Sequence, residues 1–132
     1  TPDFANLEQI SGIDDFAKTY ELLQNDGQYI VLNLSCPNTG DHKTFEDAEL
    51  FSELAKEISA IRKNNCPHLI KISPDLEKTA LQKLVDAALR YGFDGFVVGN
   101  TTRDRSKIQH LNQNLPQDKG GVSGKVLNER AN

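Results

Sequence analysis

The sequence predicts an α/β domain built on parallel strands. Three short runs rich in β-formers, QYIVLNLS, HLIKIS and DGFVVGNTT, are separated by stretches whose apolar residues recur at helical spacing. That alternation is the mark of βαβ units, whose crossovers are right-handed. The third strand is followed by a long polar segment, RDRSKIQHLNQNLPQDKGGVSGKVLNER, and long loops after strand C-termini are typical of catalytic (β/α)8 barrels. On this pattern alone a barrel and an open sheet both remain open.

Each element has a local reason. In IDDFAKTYELLQNDG the residues Phe16, Tyr20 and Leu23 share a helical face, Asp14 and Asp15 favour the N-terminus, and Gly27 is a stop. QYIVLNLS is nearly continuous in apolar residues, as expected for a strand covered on both faces. Thr44 and Asp47 are spaced as a capping box for a second helix marked by Phe51, Leu54, Ile58 and Ile61, ending near Asn64 and Asn65. The strand HLIKIS stops at Pro74. A third helix runs through Leu81, Leu84, Val85, Ala88 and Leu89 to Gly92, and DGFVVGNTT is the third strand.

Composition narrows the function. The chain has 132 residues, 37% of them hydrophobic, and reads as one domain over 1–132. Its 15 basic and 19 acidic residues give a net charge of −4, with no basic stripe for a nucleic-acid partner. Cys36 and Cys66 lack metal-ligand or disulfide-scaffold spacing, which points to a reducing, cytoplasmic setting. No apolar run approaches the roughly 20 residues that span a bilayer. His42, His68 and His110 suggest no metal site and read as surface or loop residues. No hydrolase, P-loop or dinucleotide motif occurs. Thr1 in place of an initiator, and the absence of methionine, lead to the expectation that the chain is a piece of a longer protein.

The three strands share an anomaly: Asn33 in VLNLS, Lys71 in LIKIS and Asn100 after FVVG. A buried amide or ammonium costs free energy unless paired, so three near successive strand ends suggest one shared polar object. A single strand asparagine is more often a satisfied core amide than a ligand, and a lone lysine near a strand end often just reaches solvent; the coincidence across three strands is what brings the two readings level. Cys36, alone, is more often a small core residue than a catalyst, but a position between a strand end and the rigid Pro37 can hold it at fixed geometry over a ligand. The KGGVSG cluster is a backbone-approach loop or an ordinary turn.

The motifs LNLSCPNT, IKISPDL, GNTTRDR and GGVSGKVL, in this order, closely resemble the dihydroorotate dehydrogenase family. The resemblance extends from about Asp14 onward. It implies a parallel (β/α)8 TIM barrel, of which this chain is a partial, central segment, and an FMN-dependent oxidation of dihydroorotate to orotate in pyrimidine biosynthesis. Carried over residue by residue, it implies Cys36 as the base that takes a proton from C5 while hydride leaves C6 for the flavin. Asn33, Asn38, Asn100 and Thr101 would hold the pyrimidine. Asn33, Lys71, Gly99 and Gly124 would contact FMN, although the Gly99 position is often threonine in the family.

The resemblance is divided on the electron acceptor. A cysteine base is like the branch that reduces fumarate or NAD, whereas KISPDL, NTTRDR and GGVSGKVL look like the quinone-linked branch. Quinone is the expected acceptor, with peripheral membrane contact through segments outside this chain. The rival readings are a pyrimidine-reducing flavin barrel like that of dihydropyrimidine dehydrogenase, and a non-catalytic barrel fragment.

Overall fold

A computed structural model describes residues 9–35, 45–63, 65–106 and 120–131. Helix α1 spans Gln9–Leu23, strand β1 Ile30–Asn33, helix α2 Ala48–Ile61, strand β2 His68–Ile72, helix α3 Lys78–Arg90 and strand β3 Gly95–Val98. A 3-10 turn at Lys125–Leu127 leads into the short helix α4, Asn128–Ala131. The strands form one parallel sheet in the order β1-β2-β3. Each sequential strand therefore lies beside the last, as a barrel wall requires.

Register and pleat sort the strand residues by face. Ile30, Leu32 and Leu34, with Ile70, Ile72 and Phe96, pack with the helices into one core. Phe51, Leu54 and Ile58 of α2 and Leu84, Ala87 and Ala88 of α3 complete it, and α2 lies between α1 and α3. The intervening residues Val31 and Asn33, Leu69 and Lys71, and Val97 belong to the opposite face by the period of two. Asn33 is exposed and Lys71 half-buried. The sequence led us to expect cover on both faces. Among the described residues no helix covers the second face, which in a barrel is closed by the strands opposite.

Helix ends depart from the periodicity for identifiable reasons. Asp47 is itself the N-cap of α2, its Oδ1 accepting from Glu49 N at 3.0 Å and Leu50 N at 3.1 Å; it is not the third residue of a box headed by Thr44, which lies outside the described residues. α2 stops at Ile61, short of Asn64 and Asn65. There the Arg62 guanidinium donates to the carbonyls of Gly92 at 3.0 Å and Cys66 at 3.1 Å. Leu23 is 54% exposed, and Gln24 takes the interior place expected of it. Gln24 Oε1 accepts from Lys63 N at 2.9 Å, so the amide satisfies the backbone just past α2. Leu89 is likewise exposed, on the outer side of α3. Gly92, at φ +73°, closes α3 with the Phe93 N–H donating to Ala88 O at 3.0 Å.

His68 is corrected by the structure. It is a fully buried β2 residue whose Nε2 lies 2.6 Å from the Tyr20 hydroxyl. Its Nδ1 has no hydrogen-bond partner among the described residues and lies 4.0 Å from an Asp94 oxygen. Burial and the nearby Arg62 charge hold its pKa below the usual histidine value, although Asp94 and the Cys66 backbone oppose them. A neutral ring that accepts from Tyr20 at Nε2 and turns Nδ1–H towards Asp94 satisfies these surroundings best. A core histidine in a strand of alternating burial was available from the pattern; its isolation from other ligand types pointed the other way. His42 and His110 lie outside the described residues.

Candidate functional site

The polar strand residues meet at the C-terminal end of the sheet. β1 ends at Asn33, which register sets beside Lys71 of β2, with Val97 of β3 next in the row. Two residues on, the buried Ser35 links the outer strands: its hydroxyl donates to Asn33 Oδ1 at 3.1 Å. Asn100 Nδ2 donates to the Ser35 carbonyl at 2.7 Å and to its hydroxyl at 3.0 Å. Asn100 Oδ1 in turn accepts from Thr101 N at 2.8 Å. The orientation of the Asn100 amide is fixed by the carbonyl, since only its nitrogen can donate. Asn33 and Asn100, 67 positions apart in sequence by their numbers, are thereby held in one network.

Lys71 forms no ion pair among the described residues. Lys71, half-buried and in register with Asn33, therefore brings to this row a positive charge that the described residues leave without an ion-pair partner. On the same face by the period of two are the half-buried apolar residues Val31, Leu69 and Val97, and Gly95 adds no side chain. A planar, partly apolar ring system that carries negative charge suits such a face. The residues present thus fit a reduced flavin.

A groove of ≈ 340 Å³ opens next to this network, lined by Pro74, Val98, Gly99, Asn100, Thr101, Ser123 and Leu127. It brings together three of the expected site residues, Gly99, Asn100 and Thr101. Gly124 follows Ser123 and takes φ +91°, a conformation open to glycine, while its carbonyl accepts from Leu127 N at 3.0 Å. Thr101 is held from behind by Gly121, where a Cβ would overlap the Thr101 side chain. Cys36 and Asn38 lie outside the described residues.

Several structurally important residues were not singled out from the sequence. Ser35 links Asn33 to Asn100; Asp75 accepts hydrogen bonds from Thr102 Oγ1 and Arg103 N; and Glu46 accepts from Ser73 N. A serine after a strand and an aspartate next to proline are ordinary loop residues, so their type carries no signal. Burial and the neighbouring Asp75 charge raise the Glu46 pKa, against the lowering effect of the Ser73 N–H. Among the described residues no group of His, Cys, Asp and Glu could hold a metal. No helix among them is long and apolar enough to cross a membrane.

Comparison with known proteins gives a consistent result. The model of the dihydroorotate dehydrogenase family matches residues 3–132. The chain is 30% identical to a dihydroorotate dehydrogenase (quinone) of Trichodesmium erythraeum over 122 residues, which cover 89% of the chain and 32% of that relative. It is 38% identical to one of Wigglesworthia glossinidia brevipalpis over 110 residues, covering 78% and 32%. The crystal structure of a ligand-free DHODH from Eimeria tenella superposes with a TM-score of 0.77 at 24% identity, over 90% of this chain and 37% of that one. The chain thus spans about a third of the length of the relatives it matches. The fold expectation holds: this is a partial segment of that parallel α/β fold.

Proposed function

The chain belongs to the dihydroorotate dehydrogenase family, and from that premise we propose that the protein containing it oxidises dihydroorotate to orotate. The observation that carries the reading is the Asn33–Ser35–Asn100 network beside Lys71, at the C-terminal ends of three parallel strands. Amides at that position suit a pyrimidine, whose ring offers alternating N–H donors and carbonyl acceptors. Asn33, Asn38, Asn100 and Thr101 hold the substrate. Cys36 takes the proton from C5, and a thiol, with a reference pKa of about 8.5, reaches a useful range with modest help from its surroundings.

The family is generally flavin-dependent, and the cofactor assigned here is FMN. When bound, it supplies the acceptor for the hydride that leaves C6. Lys71 would contribute a positive charge beside the ring, and Asn33, Gly99 and Gly124 would hold the cofactor. The names of the relatives favour quinone as the final acceptor. The matching location is cytoplasmic, with peripheral membrane contact through segments outside this chain.

The test uses the full-length protein, loaded with flavin and kept free of oxygen. Dihydroorotate is added and the visible flavin absorbance is followed; quinone, fumarate and NAD are then offered in turn. Prompt bleaching is expected, with colour restored by quinone. A flavin-loaded protein that does not bleach with dihydroorotate, or bleaches with dihydrouracil instead, defeats the assignment. Replacing Cys36 by alanine is expected to slow bleaching at pH 7 by about 100-fold or more, with orotate still bound.

A further inference from the structure

Asp75 lies one residue beyond the Pro74 that lines the groove, on the loop between β2 and α3. Its carboxylate uses both oxygens on the loop after β3, one accepting from Thr102 Oγ1 and the other from Arg103 N at 2.8 Å. Its own loop is anchored in turn: Asp75 N donates to Ser73 Oγ at 3.1 Å, and Ser73 N donates to Glu46. Thr102 is 4% exposed and is held on its other side by the backbone of Val122, with N–H to carbonyl distances of 2.9 and 2.8 Å in the two directions. Its hydroxyl also accepts from Asp104 N at 2.9 Å. Thr102 is therefore fixed through both main chain and side chain, and the two residues before it are Asn100 and Thr101.

We propose that Asp75 is a positioning residue for the reaction: through Thr102 it holds the Asn100–Thr101 turn at the geometry that receives the pyrimidine. The proposal rests on the functional reading above. Asp75 faces Thr102 and Arg103, so its effect reaches the ligand through the turn. An unbraced turn samples other positions, and binding loses the affinity that a pre-organised amide gives. The Gly121 backbone packs against the Thr101 side chain, and Asp75 holds the next residue, Thr102.

The experiment compares Asp75→Ala, Thr102→Val and Thr102→Ser in the full-length, flavin-loaded protein. Orotate binding is read from the flavin spectrum, KM and kcat for dihydroorotate are measured separately, and flavin content and melting temperature are recorded. Asp75→Ala and Thr102→Val are expected to weaken orotate binding and raise KM by about tenfold, with kcat changed far less. Thr102→Ser, which keeps the hydroxyl, restores wild-type affinity. If Asp75→Ala fails to keep its flavin, the isosteric Thr102→Val carries the test. Wild-type orotate affinity in the folded variants overturns the proposal, including when the melting temperature alone has fallen. A wild-type protein that neither binds orotate nor reacts with dihydroorotate overturns the functional reading, and the proposal with it.

Discussion

Two side chains set apart the polar groups that hold the fold from those that serve the site. His68 and Asn33 both sit in strands, yet His68 is buried against the helices and bonded to Tyr20, while Asn33 is on the uncovered face. The sequence led us to treat the histidine as peripheral and the asparagine as buried, and the pleat reverses both. Burial and Arg62 lower the His68 pKa, so its stabilising contribution is complete above its unfolded value near 6.5 and is lost as pH falls through the lower folded value. The stability gap between wild type and His68→Gln should therefore narrow as the pH is taken from 7 towards 5, measured by denaturant unfolding of the full-length protein. Glu46 has the opposite sign: its raised pKa favours the folded state below the unfolded value, and that contribution fades as pH rises through the folded one. Comparing two variants that differ only at residue 68 cancels it. A gap that stays constant across this range would show that the buried ring does not titrate with unfolding.

The helices and strands were legible because period carries them, and their ends were not because individual hydrogen bonds decide them. Phe51, Leu54 and Ile58 recur on one face and are buried as expected, so α2 followed from spacing alone. Where α1 turns inwards, spacing favoured Leu23, yet Gln24 is interior because it can satisfy both Lys63 N and, at 3.4 Å, the Ile61 carbonyl. No local pattern announces a partner 39 residues away. The candidate site divides in the same way: Asn33, Lys71 and Asn100 stood out as polar residues in apolar strands, whereas Ser35 and Asp75 matter through contacts that only the fold creates. Gln24→Ala should cost about 1–3 kcal/mol by leaving buried backbone groups unpaired, and Asp47→Ala about 1 kcal/mol through the lost helix cap. Urea unfolding of the full-length protein checks the order, and an Asp47 effect larger than that of Gln24 would mean that the buried amide finds a ready replacement in water.

At the scale of the whole molecule, the sheet shows what this segment supplies and what it needs. One face of β1-β2-β3 is packed under three helices; on the other, Asn33 and Lys71 lie in register, and among the described residues no helix packs there. Tyr29, beside the start of β1, is 60% exposed. The chain spans about a third of its relatives' length, so the opposing wall of a barrel comprises residues outside it. A ligand laid on the Asn33–Lys71 row would touch protein on one side only, and a site open on the other side keeps its charge in high-dielectric water, where Lys71 attracts an anionic ring weakly. The isolated 132-residue chain should therefore bind FMN weakly and leave dihydroorotate unchanged, while the full-length protein binds one equivalent. Fluorescence titration of free FMN with each protein tests this directly, because bound flavin alters its emission. Tight, stoichiometric binding by the isolated chain would mean that these residues complete the pocket themselves, and the groove at Gly99, Asn100 and Thr101 would then be the first place to locate the ring.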